Sequence, residues 1–87
     1  SNATIGDHVM VLPNSVVSHD AMVDDYCYLT PGVVLAGYVH LEPGSYIGAG
    51  AVVKHRVRVG AGAVVGMGSV VVKDVPPGAT IKGNPAR

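Results

Sequence analysis

In the stretch NSVVSHDAMV, His19 and Asp20 are neighbouring side chains of types that move protons, and a glycine, Gly37 in LAGY, follows 18 residues after the histidine. Imidazole can take and return a proton near neutral pH. A carboxylate beside it orients the ring and favours its protonated form during transfer. A glycine N–H, with no side chain in the way, can approach a developing oxyanion closely. These parts suit an acyl transfer in which the base deprotonates an amine or hydroxyl while the N–H stabilises the carbonyl oxygen under attack. The same types also serve as plain solvated turn residues. The question is whether the chain folds His19 and Gly37 together.

The elements that would do so are written in a repeat. Aliphatic residues recur at Ile5, Val11, Val17, Val23, Leu29, Leu35, Leu41, Ile47, Val53, Val59, Val65 and Val71, a period of six. A small or branched residue follows each by four, from Val9 through Cys27 and Ser45 to Val75. Two further steps lead to the next aliphatic, which on a strand returns to the same face, so each hexad holds a short strand with two inward positions. The remaining triplets, such as SHD, TPG, AGY, GAG and GMG, hold ten of the twelve glycines and read as corners. A helix is excluded because glycine at this density would melt it. Short strands with regular corners describe a solenoid stacked by parallel pairing. Three hexads per turn give 18 residues per coil and about four coils. Stacking by 18 then places His19, Gly37, His55 and Lys73 in one corner column, with Asp20, Tyr38, Arg56 and Asp74 beside them, at roughly 4.8 Å per layer.

Composition agrees with a narrow interior. The 87 residues are rich in valine and contain neither Trp nor Phe, so the core must be built from short branched side chains, which favour strands. A domain this small buries little alone, and a homo-oligomer, threefold to suit flat prism sides, is expected. Net charge is zero, which gives no overall pull toward nucleic acid. Charges are nevertheless segregated: Asp7, Asp20, Asp24, Asp25 and Glu42 precede residue 43, whereas Lys54, Arg56, Arg58, Lys73, Lys82 and Arg87 follow residue 53. Cys27 is the single cysteine, expected to pack inward, and no apolar run approaches the length of a membrane span. The default setting is cytoplasmic. The opening SNA, residues 1–3, reads as the remnant of a removed tag, and the pattern starts in mid-stride at Thr4, as in a piece excised from a longer protein. Residues 4–76 form the solenoid, and 77–87, where prolines break the period, form a C-terminal tail.

The unbroken hexads together with VSHD, LAG and KDVPPGATIKGNPAR resemble the hexapeptide-repeat acyltransferases, in particular the branch of sialic acid O-acetyltransferases and bacterial amino-sugar N-acetyltransferases acting on UDP-sugars. The likeness spans residues 4–87, and SHD followed 18 residues later by AGY without an inserted loop points to this branch. It implies an all-β fold, a left-handed parallel β-helix, assembled as a homotrimer with acetyl-CoA in the groove between adjacent prisms. It further implies His19 as general base, Asp20 as its helper and Gly37 as oxyanion donor, with acetyl-CoA contacts at Tyr28, Gly37, Ala49 and Met67. The branch often has histidine where this chain has Tyr28, and it usually carries an N-terminal nucleotide-sugar-binding domain. The basic stretch KHRVR and Lys73 would face the phosphates of the co-substrate. No metal, nucleic acid or membrane partner is expected.

Two other functions fit the same solenoid. A γ-class carbonic anhydrase holds zinc with three histidines, but His19 and His55 are two coils apart, about 9.6 Å, too far to share one ion with bonds near 2.1 Å. The other is an inactive structural or assembly module. The acetyltransferase reading, with an amine or hydroxyl of a nucleotide-linked amino sugar or a sialic acid as acceptor, absorbs more of the residues than either.

Overall fold

The computed structural model describes residues 2–87; the expected tag remnant begins at Ser1, outside the described residues. The alternation predicted from the hexads appears as thirteen two-residue strands joined by tight corners, with no helix among the described residues. One face of the prism, face A, is built from β1 (Thr4–Ile5), β4 (Met22–Val23), β7 (His40–Leu41) and β10 (Arg58–Val59) in that order. Face B runs β2 (Met10–Val11), β5 (Tyr28–Leu29), β8 (Tyr46–Ile47), β11 (Val64–Val65) and β13 (Thr80–Ile81). Face C runs β3 (Val16–Val17), β6 (Val34–Leu35), β9 (Val52–Val53) and β12 (Val70–Val71). All pairs are parallel, and up to β12 each residue lies beside the one 18 positions on, as in Met22↔His40 and Tyr28↔Tyr46. The fold is a parallel β-helix of about four coils.

In each strand the second residue points inward and the first outward. Leu29, Leu35, Leu41, Ile47, Val53, Val59 and Val65 are fully buried, and so are their partners four residues on, including Val33, Val39, Ala51 and Ala63. Full burial of such a side chain stabilises by about 1.5–3 kcal/mol, so the short branched side chains at the two inward positions of each hexad hold the coils together. Polar inward residues are satisfied: Thr30 Oγ1 donates to the Ile47 carbonyl at 2.8 Å, and the buried Cys27 Sγ lies 3.2 Å from both Ser45 Oγ and the Glu42 carbonyl oxygen.

The two ends differ. In the first coil Ile5 and Val11 are 45% and 43% exposed although they hold the inward register, because no layer lies beneath them. At the other end the break in period is not the end of the sheet. β13 pairs with β11 in a shortened register of 16, Val64↔Thr80, and Val75 bridges Val59 at the same spacing. The segment then folds over the last coil, burying Ala86 and packing Ala79 and Ile81 against the core. Prolines thus shorten the final coil and turn it into a cap.

Corners share one backbone form. The third residue of the corner triplet has positive φ in almost every repeat, whether it is glycine, as at Gly50 (71°), or not, as at Asn14 (65°), Asp20 (56°), Tyr26 (63°), Tyr38 (60°) and Arg56 (65°). Asn and Asp tolerate this left-handed region, but for Tyr and Arg it is disfavoured. Both tyrosines are in ring contact with a histidine: Tyr26 stacks on His8 with centroids 5.1 Å apart, and Tyr38 meets His19.

Candidate active site

The corner between faces C and A carries the residues singled out for chemistry. His19 occupies the second position of the corner triplet after β3 and Asp20 the third; one layer on, Gly37 and Tyr38 hold the same positions after β6, and His55 and Arg56 follow after β9. The backbone ties these layers together, with the Tyr38 N–H donating to the His19 carbonyl at 3.2 Å and the Arg56 N–H to the Gly37 carbonyl at 3.0 Å. His19 and Gly37 are therefore on one edge of the prism, in adjacent coils.

The contact is closer than coil spacing alone would give. A Cβ built on Gly37 would lie 2.6 Å from His19 Cε1, 2.7 Å from Nε2 and 3.3 Å from Nδ1. Gly37 does not have the positive φ of the third corner residues. It is a glycine here because the imidazole lies over it, not because the turn demands one. Gly37 is buried against the imidazole, and its N–H has no acceptor among the described residues. Nδ1 of His19 lies 3.4 Å from Asp20 Oδ2, at the long limit of a hydrogen bond, and the His19 side chain is 55% exposed. An exposed imidazole and carboxylate thus stand at this edge with an unpaired amide in the buried glycine next to the ring, an arrangement able to accept a proton and to offer a donor to the reacting carbonyl.

Two side chains that spacing alone did not single out complete the edge. The Tyr38 ring meets the His19 ring at 85° with centroids 5.4 Å apart, and the Arg56 guanidinium lies 4.5 Å over the Tyr38 ring. Both stand in the column beside Asp20, which was the available signal. A second histidine–carboxylate pair, His40 Nε2 to Asp24 Oδ2 at 2.7 Å, sits on face A, where Arg58 also approaches Glu42 at 3.5 Å. Among the described residues no group of three His, Cys, Asp or Glu side chains is placed to hold a metal ion.

The other anticipated contacts lie elsewhere on the prism. Tyr28 is the outward residue of β5 on face B, the face opposite the His19 edge, with its ring 5.4 Å from that of Tyr46. Ala49 and Met67 stack at the corner between faces B and C, and Met67 is 80% exposed. One chain therefore brings His19, Asp20 and Gly37 together and keeps Tyr28, Ala49 and Met67 apart from them. A cavity of about 500 Å³ opens at the C-terminal cap between Lys73, Asp74, Val75, Ile81 and Arg87; His19 and Gly37 do not line it.

The profile of the bacterial transferase hexapeptide family (six repeats) matches residues 2–37 and 38–73. Among solved structures, WeeI from Acinetobacter baumannii AYE superposes with a TM-score of 0.95 at 44% identity, over 99% of this chain and 43% of that one. A histidine-to-asparagine mutant of perosamine N-acetyltransferase from Caulobacter crescentus, in complex with CoA and GDP-perosamine, gives 0.96 at 36% identity, over 98% of this chain and 40% of that one. Soybean serine acetyltransferase, as the apoenzyme, gives 0.91 at 35%, over 98% and 39%. The chain spans about two fifths of the length of these proteins. A search of curated protein sequences matches none.

Proposed function

Since the chain belongs to the bacterial transferase hexapeptide family, we propose that it is the acetyl-transfer domain of a sugar acetyltransferase that uses acetyl-CoA. His19 Nε2 takes a proton from the amine or hydroxyl of the acceptor as that atom attacks the thioester carbonyl. The Gly37 N–H donates to the carbonyl oxygen as it becomes an oxyanion. The tetrahedral intermediate then collapses, the carbon–sulfur bond breaks, and the imidazolium returns its proton to the CoA thiolate. Asp20 stabilises the imidazolium between these steps. The observation that carries this reading is the seating of the His19 ring over the Cα of Gly37, whose N–H has no acceptor among the described residues.

The shape of the edge supports a shared site. Ligand sites are concave, whereas His19 stands on a convex corner of its own prism. In this reading a second protomer supplies the other wall, and Tyr28, Ala49 and Met67, outward residues away from the His19 edge, are the proposed contributors from a neighbour. A homotrimer arranged head to tail about its axis gives three such clefts. Along the His19 edge, the cations Lys54 and Arg56 lie beyond Gly37, which supports a path for the phosphates of CoA on that side while the thioester reaches His19. A nucleotide-linked amino sugar or a sialic acid is the proposed acceptor, supported by the GDP-perosamine complex of the Caulobacter relative.

Steady-state release of CoA thiol, with nucleotide-linked amino sugars, sialic acid and L-serine as acceptors, tests the proposal. His19→Ala is expected to lower kcat by about two to four orders of magnitude. Retained turnover removes His19 from the base role, and turnover of serine in place of any sugar overturns the acceptor class.

A further inference from the structure

The arrangement around His19 contains a support that the acetyl-transfer reading does not use. The imidazole rests on three things: the bare Cα of Gly37, the Asp20 carboxylate at 3.4 Å and the Tyr38 ring at 5.4 Å and 85°. Of these, Asp20 is a weak hold, a long contact in a half-exposed pair. Gly37 limits the ring from one side only. Tyr38 is the remaining side chain that fixes the tilt of the ring, and edge-to-face packing is the orientation aromatic quadrupoles favour. Tyr38 is held in turn by Arg56, whose guanidinium covers its ring at 4.5 Å and forms no ion pair among the described residues.

We infer that Tyr38 is a positioning residue for the general base, and that Arg56 clamps Tyr38 in place; this rests on the acetyl-transfer reading only for its effect on rate. The backbone supports the assignment. Tyr38 and Arg56 both sit at the left-handed corner position, φ 60° and 65°, which is glycine at Gly32, Gly44, Gly50, Gly62 and Gly68 and is otherwise held by His8, Asn14, Asp20 and Tyr26. A bulky residue there is disfavoured, and such costs are tolerated where the side chain is put to use. The Tyr38 hydroxyl forms no hydrogen bond among the described residues, so the contact belongs to the ring.

Three variants separate the possibilities: Tyr38→Asn, which removes the ring but suits the left-handed backbone; Tyr38→Phe, which keeps it; and Arg56→Gln. The first measurement is the NMR chemical shift and order parameter of the His19 imidazole C–H groups, read with no substrate present. In the parent protein and Tyr38→Phe the signals are expected to carry the ring-current displacement of a fixed aromatic neighbour. In Tyr38→Asn that displacement disappears and the ring becomes more mobile, with Arg56→Gln between the two. The second is kinetic. Tyr38→Asn is expected to lower kcat by about three- to tenfold with KM for acetyl-CoA unchanged, and Tyr38→Phe to restore it. Thermal stability is expected to be equal or higher in Tyr38→Asn, a loss of rate without a loss of fold. Unchanged imidazole signals in Tyr38→Asn overturn the inference, as do a parent-level kcat in that variant or a Phe variant as slow as Asn. A parent protein that acetylates no acceptor refutes the proposed function instead, and the NMR comparison still decides whether Tyr38 holds the ring.

Discussion

Gly37→Ala isolates the position of the imidazole from every other part of the site. The substitution keeps the backbone N–H, and Gly37 does not have the positive φ that would strain an alanine. Its methyl group, however, would stand 2.6 Å from His19 Cε1 and 2.7 Å from Nε2. To move from 2.6 Å to the 3.4 Å of ordinary contact, the ring must recede by about 0.8 Å. His19 is half-exposed, so it can swing outward, at a torsional cost of about 0.5–1.5 kcal/mol. The lost flexibility of the unfolded glycine returns about 0.4–1 kcal/mol. The net change in stability is within about 1 kcal/mol, a shift in Tm of no more than about 4–8 °C for a chain this size. Catalysis depends on placement to a fraction of an ångström, and a misplacement of about 1 Å costs on the order of a hundredfold. Gly37→Ala is therefore expected to fold and to lose about two orders of magnitude in kcat, measured by thiol release beside a melting curve. Gly50→Ala is the opposite control. With φ at 71° and open space around its Cβ, it should cost about 1–2 kcal/mol of stability and leave kcat unchanged. The reasoning is refuted if Gly37→Ala retains kcat within threefold of the parent, or if it melts like Gly50→Ala.

Asp20→Asn should reduce kcat by about fivefold or less, since a 3.4 Å contact in a half-exposed pair is worth at most about 1 kcal/mol; a thousandfold drop in the same thiol-release assay would mean the carboxylate does more than assist. Leu41→Ala, at a fully buried inward position, is expected to destabilise by about 2–5 kcal/mol in denaturant titration, while Val11→Ala in the open first coil should cost under about 1 kcal/mol. Sedimentation equilibrium should give three times the chain mass of 8.8 kDa. Mixed refolding of His19→Ala with Met67→Asp, each inactive alone, should restore about one quarter of the sites if every cleft takes one wall from each of two neighbours in a ring. No recovery in the mixture would place both residues in a single protomer's site or remove Met67 from it.

The fold was legible because the inward positions repeat without interruption. The pattern named Leu29, Leu35, Leu41 and Ile47 as core, and each is fully buried. It could not tell that Ile5 and Val11, with the same type and register, would be exposed, since burial there depends on a layer above or below and not on the hexad itself. Nor could it see that the proline-rich segment rejoins face B through β13, because a shift from 18 to 16 leaves no periodic trace in so short a stretch. At the edge, stacking by 18 was enough to put His19 beside Gly37. The reason for glycine at 37 was not legible: turn geometry and room for the ring predict the same residue, and only the backbone angle and the measured clearance separate them. Tyr38 and Arg56 were in the right column, but steric preference argues against such residues at a left-handed corner, and contact between rings is a matter of rotamers that spacing does not encode.

The common register of 18 that runs through β12 on all three faces restricts how chains of this kind can change length. A deletion or duplication of six residues between Asp20 and Gly37 would turn everything after it by a third of a revolution, carrying the glycine to a different edge while every inward residue still found a valid berth. Such a variant would fold and be chemically silent. An insertion of 18 would keep the edge but slip a spacer layer between imidazole and amide. Only changes that leave the interval between these two residues intact preserve the pairing, so length can drift freely at the ends of the coil and hardly at all between its first and second corners on that edge.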